Sequence, residues 1–486
     1  RTFGRHDVNA MLLYNQDELV NNVPGNNLIN SLPKRKQGLA GRLSYAYDGK
    51  YMAEVNMGYN GSENFAKGHR WGFFPSIALG YNISEESFFE PLRKVITSMK
   101  LRGSWGLVGN DQIGGERFIY MPTINLSGKG FTTGIDQNYG LSGPVYTRYE
   151  NNSITWEVGE KINLGIDLQL LNSLNIVVDI FRETRRDIFQ KKGTIPTYLG
   201  TGNTDVFGNL AEMKNQGLDL SIDYNKAFSK DFYMNFKGTF TYAHNEITKY
   251  DEAPKYAFQS KVGQSANVSQ GYLSNGLFLD EAEIDRYNQQ MGSTLGAGDI
   301  KYLNVSNMHG YGDDIVDVDD WTWIGNPTVP EIVYGFGPSF KYKNWDFSFF
   351  FQGVAKTSLF MSGFHPFGDN SLRNVLQFVA NDRWSPTNQN VDAKYPRLTR
   401  KTSLNNTNPG NSGRTSDYWM RDGSFLKLKN MELGYTFKRM RFYISGSNLL
   451  TFSKFDLWDP EQGGGSGLKY PTQRVFNVGF QMTFNN

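Results

Sequence analysis

Side chains that alternate between apolar and polar at successive positions, over runs of nine to twelve residues, leave this chain few folds to adopt. From Gly38 to Tyr47 the sequence reads GLAGRLSYAY, with Leu39, Leu43, Tyr45 and Tyr47 on one face and Arg42 and Ser44 on the other. Asp48-Gly49 follows, a pair suited to the two positive-φ positions of a tight hairpin. The return carries Tyr51, Ala53, Val55, Met57 and Tyr59 against Lys50, Glu54, Asn56 and Asn60. A period of two is that of a β-strand, and here it makes one oily face and one wet face.

The pattern recurs. Leu101, Trp105 and Leu107 alternate with Lys100, Arg102 and Ser104, and Ile162 to Leu170 alternates with Lys161, Asn163, Asp167 and Gln169. Leu218 to Tyr224, Phe232 to Tyr242, Ile332 to Tyr342, Met431 to Phe437 and Phe476 to Phe484 repeat it. A sandwich strand also alternates, but sandwich strands cluster near five or six residues, whereas a tilted strand crossing a bilayer needs about 9–11. Many apolar faces end in Tyr, Phe or Trp, as at membrane interfaces, and the polar faces carry full charges, as a watery lumen allows. The predicted fold is all-β, a large antiparallel transmembrane β-barrel, with 14 to 16 strands counted along this chain. Aromatics at 15% and 52 glycines fit that fold, although composition alone suits a soluble β-sandwich array equally well. With 50 basic against 48 acidic residues there is no nucleic-acid footprint. No apolar run approaches the roughly 18 residues of a membrane-spanning helix. There is no cysteine, so stability is expected from strand closure rather than disulfides. The opening Arg1 to His6 lacks the apolar segment of an export signal, and the chain is expected to be a portion of a longer exported protein.

Short turns such as Asp48-Gly49 and Lys343-Asn344 contrast with long polar loops around 250–325 and 360–420. Trp321, Trp323, Tyr418 and Trp419 lie in or beside those loops and are the candidate substrate-binding residues, since aromatic faces stack on sugar rings or grip peptide side chains. For each taken singly, loop packing is the stronger reading. The run Asp313, Asp314, Asp317, Asp319 and Asp320 has the carboxylate density calcium favours. A solvated acidic loop is the preferred reading there, and no metal is assigned. The five histidines are scattered, and no zinc motif, phosphate-cradling loop or nucleophile elbow is present, so no catalytic residue, enzyme activity or cofactor is expected.

Several segments resemble the SusC-like (RagA-like) branch of TonB-dependent outer-membrane transporters of Bacteroidetes. They run in that family's order from GLAGRLSYAYDGKYMAEVNMGYNGSENF at 38–65 and GFFPSIALGYNISEESFF at 72–89 through KLRGSWGLVGND at 100–111. NLGIDLQLLN at 163–172 and MKNQGLDLSIDY at 213–224 follow, and SDYWMRDGSFLKLKNMELGYTF at 416–437 with RFYISGSNLLTFSKFDLWDPE at 441–461 closes the series. Where the family has a hairpin turn Asp-Gly-Ser this chain has Asn60-Gly61-Ser62, and Phe425 and Lys427 replace the commoner Tyr and Arg. The resemblance implies a barrel of about 22 strands with a plugged lumen, residues 1–486 being its C-terminal portion and the plug domain and TonB box lying outside them. It implies active uptake of an oligomeric nutrient, glycan or peptide, across the outer membrane of a Gram-negative bacterium. The implied partners are a SusD-like surface lipoprotein, TonB acting through the missing N-terminal part, and outer-membrane lipid, with no nucleic acid. A passive porin and a soluble sugar-binding β-protein are the alternatives.

Overall fold

The computed structural model describes residues 1–21, 31–115, 117–196, 198, 204–287, 289–290, 295–364, 367, 374–400 and 415–484. Its principal sheet has 15 strands, within the expected 14 to 16. The chain divides into two compact units, one of residues 1–223 with 243–253 and 261–264, the other of residues 224–242, 254–260 and 265–486.

In the first unit the long strands are His6–Leu19, Lys34–Tyr47, Tyr51–Ser62, Trp71–Asn82, Ile96–Asn110, Glu157–Leu170, Leu174–Lys191 and most of Phe207–Ala227. Antiparallel register lines up Leu43, Val55, Ile77, Trp105 and Ile162 across five strands, and each is between 38% and 53% exposed. Large side chains in so regular an exposed row are what a wall offers to lipid. One residue along, Arg42, Asn56, Ser76, Gly106, Lys161 and Glu183 form the opposite row. Asp48 and Gly49 take φ of 54° and 66°, the doubly positive turn expected of that pair.

The turn assigned to Asn60-Gly61-Ser62 is not one. These residues end the Tyr51–Ser62 strand, Gly61 paired with Gln37 on one side and Trp71 on the other. Glycine serves there for clearance rather than for a left-handed backbone: a Cβ would lie 3.0 Å from the Trp71 ring, which stacks on Tyr59 at 4.8 Å. Ser62 Oγ donates to the buried Asp111 carboxylate, which also receives Lys36 Nζ, so the strand is held extended to its last residue. Above it Phe65, Ile113, Ile119, Ile154 and Trp156 close a small buried cluster. The 111–156 connection is a third long loop, unmarked by the sequence reading, with a hairpin of Thr123–Thr133 and Tyr139–Arg148.

The second unit contains Ile332–Tyr342, Trp345–Ala355, Phe425–Phe437, Met440–Ser453 and Val475–Met482, with residues 232–242 of the Phe232–Lys249 strand. Met234, Phe340, Phe347, Leu433, Ile444 and Val478 align as one apolar row. The adjacent polar row is Asn235, Ser339, Ser348, Glu432, Ser445 and Asn477. Short turns at Lys343 and Lys438, both with positive φ, join these strands at one end, and long loops join them at the other. Parts of the 360–420 loop, 401–414 included, and the terminal Asn485 and Asn486 lie outside the described residues, and Phe484 falls beyond the last strand. Among the described residues no helix is long and apolar enough to cross a membrane.

Candidate functional site: polar wall and loop cluster

On the polar face of the first unit, Arg102 is the most heavily bonded residue. Its Nε and Nη2 reach Asp167 at 3.0 and 2.8 Å, and Nη2 also reaches Asp179 at 3.0 Å. Room for that fork comes from Gly165 on the facing strand, where a Cβ would sit 2.8 Å from the guanidinium carbon and 2.5 Å from Asp179 Oδ1. The second unit repeats the device with other residues. Arg441 pairs with Asp346 and, at 2.5 Å, with Glu432, over Gly434. Each network sets one guanidinium against two carboxylates, a hydrated surface for polar solutes that would be ruinous facing lipid.

The loops of the second unit gather a core of their own. Tyr272, Leu277, Ile300, Tyr302, Val316, Leu359, Met361, Phe364, Phe367, Val379, Trp384, Tyr395, Trp419 and Phe455 pack together, nearly all below 6% exposed. Trp419, Tyr418 and Trp321 belong to this assembly in different ways, and Trp323 is not among its members. Trp419 is 0% exposed, packed on Phe367 at 5.2 Å, so its ring supports the cluster from within. Tyr418 is half-buried and donates its hydroxyl to Ala393 O at 2.7 Å, and burial pushes that hydroxyl far above its ordinary pKa. Trp321 packs edge-on against Tyr272, and Trp323 Nε1 donates to Ser260 O at 2.9 Å. Trp321, Trp323 and Tyr418 keep some surface, and Trp419 keeps none.

The acidic run is not a freely solvated loop. Asp320 is 0% exposed and accepts from Ser306 N, Ser306 Oγ and Asp317 N at 2.8–3.0 Å. Asp313 accepts from Asn304 Nδ2, Asp317 caps a single helical turn, and Asp319 pairs with Lys255. Backbone and side-chain donors occupy these carboxylates, and among the described residues no cluster of three or more ligating groups is placed to hold a metal.

Two further basic residues could not have been singled out from spacing. Lys427, in place of the commoner arginine, is 1% exposed and bonds both Asp459 and Glu461, while Lys429 takes Glu461 at 2.6 Å. Its visible trace in the sequence is the Asp459-Pro-Glu461 run that supplies both carboxylates. Arg421 packs beside Tyr395 and Tyr418, and burial pulls its pKa down.

Strands that are oily on one side and carry ion pairs on the other have the make-up of a section of transmembrane β-barrel wall. The family model described as "TonB dependent receptor-like, beta-barrel" matches residues 1–449, and the chain belongs to that family, whose members are outer-membrane proteins. It is 28% identical over 471 residues to the TonB-dependent receptor SusC of Bacteroides thetaiotaomicron, covering 91% of this chain and 43% of that protein. Similarity to TonB-dependent receptor P3 of Formosa agariphila is 27% over 481 residues, 91% of this chain and 45% of that one. The chain thus spans less than half the length of these curated relatives. The fold matches the solved RagAB peptide transporter with a TM-score of 0.72 at 20% identity, over 99% of this chain and 54% of that one.

Proposed function

We propose that this chain forms wall and outer loops of a transporter that imports an oligomeric nutrient, glycan or peptide, across the outer membrane, driven by TonB and capped by a SusD-like surface lipoprotein. The observation that carries the reading is the polar wall face with its paired charges, on strands whose other face is apolar. Such a wall guides hydrated oligomers without offering a bare charge to trap them. Kinship with SusC and likeness to a RagAB peptide transporter support the lipoprotein partner and leave both ligand classes open. Trp321, Trp323 and Tyr418 are the proposed ligand-facing aromatics, with the buried Trp419 packed edge-on against Tyr418. A passive porin is the competing reading, and membership of a TonB-dependent family argues against it.

The test is uptake of labelled oligopeptides and oligosaccharides by cells carrying the full-length transporter, with and without TonB. Concentrative uptake that disappears without TonB is expected. Uptake of equal rate in both strains would leave a passive pore.

A further inference from the structure

Resting on the import reading, the structure also points to the chemistry of the ligand. Arg421 lies in the short strand Met420–Asp422, opposite Leu359, on the flank of the loop cluster. Its Nη1 donates to Tyr418 O at 2.8 Å and to Met420 O at 2.7 Å, which consumes both Nη1 hydrogens. No acceptor among the described residues takes Nε or Nη2, and no carboxylate forms an ion pair with this guanidinium. The free edge is the parallel two-donor fork that matches the two oxygens of a carboxylate.

Carboxylates lie near without pairing with this guanidinium: Asp382 and Asp456 act on Tyr395, and Asp382 on Tyr418, but neither acts on Arg421. Tyr395 and Tyr418 stand close enough to act on the guanidinium. Tyr395 is 2% exposed, its hydroxyl has no hydrogen-bond partner among the described residues, and burial pushes its pKa up to about 12, so it stays a donor. Elsewhere in the same assembly the fold does supply a carboxylate: Arg397 bonds Asp299 through Nε and Nη2 at 2.5 and 2.9 Å. Arg397 is thereby a closed structural pair, whereas Arg421 is anchored by the carbonyls of Tyr418 and Met420 and unbonded on its other edge among the described residues.

We propose that the Nε/Nη2 edge of Arg421, assisted by the Tyr395 hydroxyl, receives a carboxylate carried by the transported ligand. Among the carboxylates that peptides and glycans carry, the free C-terminus and the uronate are the two sources the experiment separates.

The experiment uses the full-length transporter in detergent and four probes: a hexapeptide, its C-terminal amide, a hexagalacturonate and its methyl ester. Binding is measured calorimetrically with the native protein, Arg421→Gln and Arg421→Lys. In the native protein one acid probe is expected to bind about tenfold or more tighter than its capped counterpart, the scale of a charge-assisted pair. Arg421→Gln should bring that ratio near one with the capped probe's affinity unchanged, and Arg421→Lys should restore part of it. Which acid probe shows the ratio names the ligand source. A purely structural Arg421 would weaken acid and capped probes alike in Arg421→Gln and so overturn the proposal. Equal binding of acid and capped probes to the native protein would also overturn it, with the import reading intact. Failure of all four probes to bind would overturn it too, and would then count against import of these two classes.

Discussion

Lys427 offers a quantitative handle on how the outer loops are held to the wall. Lys427 and Lys429 face Asp459 and Glu461, two charges against two, and Lys427 is 1% exposed while Asp459 and Glu461 are 16% and 33% exposed. Replacing Lys427 with Met leaves one lysine for two carboxylates. Removing one partner of a buried pair costs about 3–5 kcal/mol, and partial hydration of both carboxylates places this case near 3 kcal/mol. The cost falls on the attachment of the 454–474 loop, so local opening should become roughly a hundredfold more populated. Where opening is fast, protease cleavage follows that population, and cleavage within 454–474 of the purified full-length transporter should accelerate by about that factor. Adding Asp459→Asn to Lys427→Met removes the orphaned charge and should restore about 2 kcal/mol of coupling. Acceleration below about fivefold, or a double variant cleaved as fast as the single one, would refute the assignment of Lys427 as the clamp.

Acid should release the same loop. Burial opposes ionisation of Asp459 and Glu461, but hydrogen bonds from Lys427 to both, and from Lys429 to Glu461, outweigh it and hold both carboxyls below their ordinary values. Groups depressed on folding stabilise above their unfolded pKa, near 4, and that stability fades as pH falls through the folded values. Trp458 emission should therefore be flat from pH 8 to 5 and shift below about pH 4; a shift centred near pH 6 would contradict this. Leu164→Arg, on the lipid-facing row near mid-strand, should cost about 2–4 kcal/mol in vesicle refolding, and Asn163→Arg much less, so equal costs would undo the assignment of faces. At Gly337 a Cβ would lie 2.0 Å from Phe349 O, so Gly337→Ala should lower refolding stability by about 1–3 kcal/mol, with an unchanged denaturation midpoint as the contrary result. Asp320→Ala strands the Ser306 and Asp317 donors and should expose the 304–320 segment to protease, whereas chelator should leave it protected.

Local chemistry made the wall legible before any coordinates. Leu43, Val55, Trp105 and Ile162 could each be assigned to the apolar face of its strand because a period of two has only two faces, and the registers then align them with Ile77. Asp48-Gly49 was readable because two positive φ angles demand such residues. Gly61 misled for the reciprocal reason: glycine is also used for clearance, and what it clears, Trp71, is ten positions away on the next strand. The loop aromatics were visible as residue types, but whether a tryptophan presents its face or buries it depends on long-range packing. Trp419 is enclosed by Phe367 and Tyr395, which no spacing around position 419 encodes. Arg421 was passed over for the same reason, because an arginine draws notice only once the carboxylate it lacks can be looked for in space.

On the proposed import reading, the distribution of paired and unpaired charge would separate passage from recognition. A guanidinium already satisfied by two carboxylates, as Arg102 and Arg441 are, presents polar surface but little unspent attraction, because a new anion must displace an existing partner. If the chain lines an import path as proposed, a ligand would move along such a wall without being arrested by it. Arg421 differs in kind: burial disfavours its charge and no carboxylate among the described residues pairs with it, so on the carboxylate proposal an arriving anion would offset that cost without displacing a partner. Under that proposal, selection for charge belongs in the loop cluster, and exchanging the two arrangements would be self-defeating. On that reading an unpaired arginine on the polar wall face would hold a ligand meant to pass, and a closed pair at position 421 would leave the loops unable to tell an acid from its ester.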